Sequence, residues 1–260
     1  MVKFIADLGG NHNGDFKRVY DWTLTAGDIG CWAIKPQFYD ADKLFRDPSS
    51  IPKEWEFKYE WFPELRKLCT HLGLKLGVSV FDVKSVEMVK PYVDFLKISS
   101  FDIMRLDLIE ACILTKLPVF ISIGLANEQT IRDIMRYFSH ETEQIKLFHC
   151  VSEYPAKVSH CNVHRIYGKI KGYSDHSKSP GVIHRAVGQG AEYIEFHMDL
   201  NGQGWEQMKD NSCWLPSKMA NVIYEVRQGE EAMQEYEFPE EYYLKKADSE
   251  DGLRPMLNGK

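Results

Sequence analysis

Two lysines and five serines recur at one kind of position in the chain, at or just after the end of a short apolar run. The lysines are Lys35 and Lys97, and the serines are Ser79, Ser100, Ser122, Ser152 and Ser174. Ammonium and hydroxyl groups gathered around one centre bind a phosphate or a carboxylate, because they supply both charge and directed hydrogen bonds. A single lysine of this kind is more often a surface residue whose stem lies along apolar neighbours. The prediction of an anion site therefore depends on the convergence of the whole set.

Two histidines follow the last two apolar runs. His176 and His197 are 21 residues apart, so no local metal-binding motif joins them. If the two runs are neighbouring strands, about 4.8 Å apart, both imidazoles can reach one ion. Nitrogen and oxygen ligation without a thiolate suits Mn²⁺, Co²⁺ or Zn²⁺ better than Mg²⁺ or Ca²⁺. We expect Mn²⁺ first, with Co²⁺, Zn²⁺ and Mg²⁺ as alternatives. We therefore predict a divalent metal site, with Asp175 and Glu195 orienting the two rings.

Other polar residues have separate interpretations. Asp7 and Asp102 also follow apolar runs, and we predict that one of them handles protons in a reaction. His149 is interpreted as a core histidine, and Asp82 as the N-cap of a helix.

The element pattern predicts an α/β fold, the (β/α)₈ TIM barrel. Eight apolar runs alternate with amphipathic stretches, three of which predict helices over 61–72, 127–138 and 217–233. The runs cover residues 3–8, 31–37, 74–80, 93–98, 118–123, 145–150, 170–174 and 192–196. Eight strand–helix repeats in about 230 residues match this barrel, and its functional residues lie at the carboxyl ends of strands. A doubly wound open sheet is the alternative, but the turn at 9–14 lacks its G-x-G-x-x-G pattern.

Helix ends are predicted from single residues. Asn127 and Ser217 are expected to be N-caps, and Gly73 is expected to end a helix. We expect one barrel domain over 1–235 and a charged tail over 236–260, with no second domain.

The composition excludes several classes of protein. The net charge is −6 and the basic residues are scattered, which argues against nucleic-acid binding. The longest nearly apolar run, 118–126, is far shorter than the roughly 20 residues that span a bilayer. Asp7 interrupts the first apolar stretch, so no secretory signal is expected. Six dispersed cysteines without a C-x-x-C pair predict reduced thiols in a cytoplasmic protein.

Three sequence blocks together resemble the N-acetylneuraminate (sialic acid) synthase family. They are Asn11-His12-Asn13-Gly14-Asp15, His149-Cys150-Val151-Ser152-Glu153-Tyr154-Pro155 and Ser174-Asp175-His176. Shorter matches, such as Lys35-Pro36-Gln37 and Lys97-Ile98-Ser99-Ser100, occur in the same order between residue 3 and about residue 233.

The resemblance implies a barrel that condenses phosphoenolpyruvate with an aldehyde sugar to a 2-keto sugar acid, using Mn²⁺ or Mg²⁺. In that chemistry the methylene carbon of the donor attacks a metal-polarised carbonyl, water adds, and phosphate leaves. By block matching, the two lysines and five serines named above fall on the donor site, and His176 and His197 fall on the metal ligands. Gln37 and Tyr154 fall on the acceptor side.

The chain also departs from the family pattern on the acceptor side. Asp7 stands where the family has glutamate, and Phe101 and Asp102 stand where it has glycine and glutamate. Gly204-Trp205-Glu206 replaces a P-G-P-D segment, which places Glu206 in the acceptor site. The family normally continues into an antifreeze-like domain that covers the site. We expect this chain to lack it, to form a homodimer, and to use a separate lid protein if it has a lid.

Two other functions compete with the condensing synthase. One is an aldolase that forms a Schiff base with its substrate through Lys35 or Lys97. The other is a non-catalytic homologue that binds a sugar acid.

Overall fold

The fold is a closed parallel barrel, which confirms the predicted (β/α)₈ class and excludes the open sheet. The computed structural model describes residues 1–44, 47, 53–237, 239 and 241. The chain divides into two units, 1–226 and 227–260, and the first contains the barrel. Its strands are β1 Lys3–Asp7, β2 Ala33–Lys35, β3 Gln37–Phe38, β4 Lys75–Val80, β5 Phe95–Ile98, β6 Val119–Ser122, β7 Ile145–Cys150, β8 Ile170–Asp175 and β9 Tyr193–His197.

The barrel closes because β1 pairs with both β2 and β9, and every pairing is parallel. The second predicted run forms two short strands, β2 and β3, which both pair with β4. Pro36 lies between them, and proline has no N–H to give to a strand ladder. β2 and β3 together therefore act as one of eight barrel strands.

Helices follow most of the strands along the chain. They are α1 Phe16–Asp28, α2 Ala41–Leu44, α3 Phe62–Leu72, α4 Val83–Val89, α5 Leu106–Leu114, α6 Glu128–Tyr137, α7 Pro180–Gly188, α8 Trp205–Asp210 and α9 Pro216–Ala232. Short 3₁₀ turns lie at Lys53–Trp55, Tyr59–Trp61, Val158–His160 and Val163–Arg165.

Three of the four predicted helix-end residues are confirmed. Asp82 and Asn127 accept hydrogen bonds from Ser85 N and Thr130 N, both at 2.8 Å, and so cap α4 and α6. Gly73 ends α3 with a φ of 70°. Ser217 is not an N-cap, because α9 already begins at Pro216, whose fixed φ suits the first turn of a helix.

An aromatic layer fills the barrel below its carboxyl end. Phe95, Phe120, Phe148 and Tyr193 pack together there with Ile5 and Ala33. Gly77 makes room for one ring, since a Cβ at this position would lie 2.1 Å from Phe95. Because this layer closes the interior, polar groups on the inner face collect at the carboxyl ends of the strands.

The remaining sequence predictions concern the cysteines, membrane-spanning helices and the C-terminal tail. All six cysteines are free and buried, as expected of reduced thiols. Within the described residues, no helix is both long and apolar enough to cross a membrane. In the second unit, Arg227 pairs with Glu230 at 2.7 Å near the end of α9. Most of the predicted tail at 236–260 lies outside the described residues, so its character stays a prediction.

Candidate active site

Strand register brings three functional side chains to one level of the barrel. Asp7 pairs with Lys35 on β2 and with His197 on β9. The Lys35 Nζ lies 2.5 Å from Asp7 Oδ2, and His197 Nε2 lies 3.9 Å from the same oxygen. Residues that are far apart in sequence therefore meet at the carboxyl ends of three neighbouring strands.

The two lysines lie on the floor of a cavity of about 650 Å³. Both are almost fully buried, and each donates a hydrogen bond to a serine hydroxyl at 2.6 Å, Lys35 to Ser79 and Lys97 to Ser122. The predicted convergence of lysines and serines is thus present in the structure.

Glu195 lies between the two lysines. Its carboxylate lies 3.8 Å from each ammonium group and accepts a 2.8 Å hydrogen bond from Ser174. Burial alone would raise the pKa of Glu195, but Lys35 and Lys97 hold it below its ordinary value. Glu195 is therefore an anion that lies close to both cations.

The two lysines differ in their electrostatic surroundings. Burial lowers the pKa of each ammonium group. At Lys35 the attraction of Asp7 and Glu195 outweighs burial, and its pKa is raised. At Lys97 burial outweighs Glu195, and its pKa is lowered. Lys35 is thus the more firmly charged of the two.

The two histidine rings lie next to each other in the cavity wall, edge to face, with centroids 5.5 Å apart. His176 Nδ1 donates to Val151 O at 2.6 Å, and burial lowers its pKa to about 3. His197 Nδ1 lies 2.5 Å from Glu206 Oε1. Burial would lower the pKa of His197, but Glu206 and Asp7 raise it to about 9.

These two histidines fit the role of metal ligands. An oxygen acceptor holds the Nδ1 of each ring and leaves Nε2 as the ligand atom, as is typical of metal-bound imidazoles. Across the described ranges, no group of three or more His, Cys, Asp or Glu side chains is arranged to hold a metal. A bound ion would therefore take its remaining ligands from water or substrate oxygens.

The prediction that Asp175 and Glu195 orient the two histidine rings is wrong. Asp175 instead accepts hydrogen bonds from Ser177 and from the Trp214 indole at 2.6 and 2.8 Å. Glu195 contacts the lysines and Ser174, as described above. The carbonyl of Val151, directly after β7, and the carboxylate of Glu206 in α8 hold the rings instead.

The remaining predicted residues lie around the same cavity. Its wall includes Asp7, Lys35, Gln37, Ser79, Lys97, Ser100, Asp102, Ser122, Tyr154, Ser174, His176, His197 and Glu206. Ser152 joins this set through Ser100, with 2.8 Å between their hydroxyl oxygens. His149 is buried and bonds to Cys161 O at 2.8 Å, which confirms it as a core histidine.

The two carboxylates predicted to handle protons have opposite pKa shifts. Although burial opposes it, Lys35 and His197 lower the pKa of Asp7 to about 2. Gln37 Nε2 also donates to Asp7, at 3.2 Å. Burial raises the pKa of Asp102, which accepts a 2.5 Å hydrogen bond from Ser99. Asp102 is therefore the better proton carrier at neutral pH.

Sequence reasoning did not place several cavity residues in the site. They are Tyr39, Trp55, Phe81, Cys150, Lys209 and Asp210. Glu195 was predicted to orient the histidine rings, and its position between the two lysines was not predicted. One signal for Glu195 was available: it alternates with Tyr193 and His197 along β9, so all three share the inner face of the strand.

Residues 24–237 match the model of the NeuB family. The chain belongs to the NeuB family. One relative is an N,N'-diacetyllegionaminic acid synthase of Legionella pneumophila, 29% identical over 87% of this chain and 71% of its own length. Another is an N-acetylneuraminate-9-phosphate synthase of Drosophila melanogaster, 27% identical over 82% of this chain and 64% of its own length.

A solved structure shares both the fold and the extent of this NeuB-family chain. It is the N-acetylneuraminic acid synthetase of Leptospira borgpetersenii in complex with citrate, 28% identical with a TM-score of 0.83. The match covers 100% of this chain and 93% of that one. The chain spans about two thirds of the two curated relatives. The resemblance in the sequence blocks is confirmed at the level of the family.

Proposed function

We propose that this NeuB-family chain condenses phosphoenolpyruvate with an aldehyde sugar, forming a sialic-acid-like 2-keto-3-deoxy sugar acid and releasing phosphate. The observation that carries the proposal is the pair of buried lysines, each bonded to a serine hydroxyl, on the floor of a cavity that two histidines also face. Relatives named as sugar-acid synthases support it.

In this proposal the donor lies over Lys35 and Lys97. Each ammonium group offsets charge on the phosphate or carboxylate of the donor, and the neighbouring hydroxyls orient those groups. Asp7 and Glu195 hold the lysines in place before the donor binds, so little reorganisation is needed at that step.

His176 and His197 would hold a divalent ion, for which Mn²⁺ is the first expectation. When bound, such an ion supplies Lewis-acid polarisation of a substrate carbonyl. The chain itself fixes the two rings through Val151 O and Glu206 and holds Asp7 within 3.9 Å of His197 Nε2.

We assign the proton transfer to Asp102 and a positioning role to Asp7. Asp7 is held as an anion by Lys35, so it accepts a proton poorly at neutral pH. Asp102 lines the cavity, and its raised pKa brings it closer to the working pH. Asp102 is thus suited to take the proton of the attacking water or to protonate the alkoxide that becomes the new hydroxyl.

One observation favours a second candidate, the Schiff-base aldolase. Lys97 is buried and its pKa is lowered, and a neutral amine is the nucleophile in that chemistry. Borohydride trapping with a keto substrate such as pyruvate tests it: a covalent adduct on Lys97 would support the aldolase and contradict the condensation.

The test of the proposed function is a phosphate-release assay. The protein is incubated with phosphoenolpyruvate, Mn²⁺ and single aldoses, and inorganic phosphate is measured. We expect aldose-dependent release that is lost in Lys97→Ala and kept in Lys67→Ala, since Lys67 is exposed on α3. Donor binding without release for every aldose would favour the non-catalytic homologue.

The two curated relatives differ in the charge of the products for which they are named, since one is named for a phosphorylated sugar acid and the other is not.

A further inference from the structure

We call the cavity residues that contact neither Lys35 nor Lys97 its outer wall, and several of them are aromatic. Trp55 lines it and stacks on Trp205, with 6.0 Å between the ring centroids. Tyr39 and Phe81 line it as an edge-to-face pair 5.7 Å apart. Aromatic faces of this kind pack against the C–H groups of a sugar ring, and neutral hydroxyl partners fix its orientation.

The charged groups of this outer wall are mostly carboxylates. Asp102, Glu206 and Asp210 line it, whereas Asp7 and Glu195 are already paired with the donor lysines. Both oxygens of Glu206 are engaged, one by His197 and the other by Gly10 N at 3.1 Å.

Cations that could bind a second phosphate are scarce in this wall. Besides Lys35 and Lys97, Lys209 is the one lysine or arginine that lines the cavity in the described part of the chain. Its ammonium group lies 5.5 Å from the centroid of the Trp55 ring, where the indole face attracts it. Phosphate recognition in proteins relies on several such donors, above all on arginine.

The carboxylates near the Tyr39 hydroxyl indicate a negative electrostatic potential at this wall. The hydroxyl donates a hydrogen bond to Trp55 O at 3.2 Å. Burial raises the pKa of Tyr39, and the carboxylates Glu206 and Glu56 raise it further. A new negative charge is therefore unfavourable at this wall.

We propose that the acceptor of this site is an aldose without a charged group, and not an aldose phosphate. The inference rests on the proposed function, since it concerns the second substrate of that reaction. A phosphate ester would face Asp102 and Asp210, whereas Glu206 is paired with His197, and phosphoenolpyruvate would already occupy both lysines. Like charges in a shared cavity repel, and this repulsion selects against the ester.

The experiment compares matched acceptors that differ by one phosphate. N-acetylmannosamine is paired with its 6-phosphate, and D-arabinose with its 5-phosphate. Phosphate release with phosphoenolpyruvate and Mn²⁺ gives kcat/KM for each. Calorimetry gives the affinity of each for the protein loaded with phosphoenolpyruvate in chelator, where no turnover is expected. We expect the uncharged member to exceed its ester by about tenfold or more in both measurements.

A charge-reversal variant makes the test specific to the wall. Asp210→Lys should raise the ratio of ester to aldose kcat/KM severalfold, because it replaces a repulsive group with an attractive one. Asp133→Lys is the matched control, since Asp133 is exposed on α6 and bonds to Gln129 there. The control should leave the ratio unchanged.

The outcomes separate this inference from the proposed function. Phosphate release that is equal or faster with the esters keeps the condensation and overturns the inference. Tighter binding of the aldoses without any release contradicts the condensation and supports the charge preference. No binding and no release for any member overturns both.

Discussion

Replacing Asp7 with asparagine should strongly destabilise the protein, because it leaves the Lys35 ammonium group buried beside a neutral partner. Lys35 and Asp7 are 2% and 3% exposed at their side chains, and their charged atoms are 2.5 Å apart. Glu195, at 3.8 Å, is then the nearest remaining anion. Removing one partner of a buried ion pair costs about 3–5 kcal/mol. For a chain of this size that loss lowers Tm by roughly 6–20 °C, at about 2–4 °C per kcal/mol.

A surface pair provides the control for this variant. Lys17 and Asp21 are joined at 2.6 Å, but their side chains are 77% and 46% exposed. Asp21→Asn should cost less than about 1 kcal/mol, because water screens such pairs. Thermal unfolding of both variants is the assay, and Asp7→Asn with Lys35→Met should regain much of the loss. Equal losses in the two single variants would refute the argument that burial sets the cost.

The same pair predicts a dependence on pH. The pKa of Asp7 is lowered from 3.8 to about 2 in the folded protein, so the folded carboxylate holds its proton more weakly than the unfolded one. Its contribution is therefore complete above about pH 4 and is lost as the pH falls toward 2. The difference in unfolding free energy between wild type and Asp7→Asn should shrink over that window. A difference that stays constant from pH 5 to pH 2.5 would contradict the assignment.

Lys97→Ala should weaken phosphoenolpyruvate binding about 10- to 100-fold, the loss of one charge-assisted contact, with the far-ultraviolet circular dichroism unchanged; equal affinity by calorimetry would remove Lys97 from the donor site. Gly77→Ala should cost about 1–3 kcal/mol because its Cβ meets Phe95, whereas Gly188→Ala, which meets nothing within 4 Å, should be neutral or stabilising, as chemical denaturation would show. Chelator should abolish phosphate release and Mn²⁺ should restore it, except in His176→Ala; full activity in chelator would exclude a metal.

The fold could be predicted from the sequence because its signals are local. Apolar runs of strand length alternate with helical spacings, and caps such as Asn127 mark the helix ends. The exceptions are also local: Pro36 divides one strand, and Pro216 begins α9 one residue before the predicted cap.

The partners within the site could not be predicted, because they depend on how strands lie side by side. Asp7 lies beside both Lys35 and His197 because of the register in which β1 pairs with β2 and β9. The spacing of these residues in the sequence does not predict that register. In the sequence, Glu195 is a single acidic residue in an apolar run. It lies between the two lysines because β9 pairs with β1 and closes the barrel. The groups that hold the histidine rings, Val151 O and Glu206, and the aromatic wall around Trp55 depend on the folded path of the segments that follow the strands.

The central claim is condensation with loss of phosphate by cleavage of the bond between carbon and oxygen. Phosphoenolpyruvate labelled with ¹⁸O at its bridging oxygen is supplied with Mn²⁺ and the aldose that gives the fastest phosphate release. Mass spectrometry of the released phosphate then shows where the label goes. The account predicts one ¹⁸O atom in every phosphate, since water attacks the donor carbon and the bridging oxygen leaves with phosphorus. Unlabelled phosphate would show cleavage at phosphorus and would contradict the account.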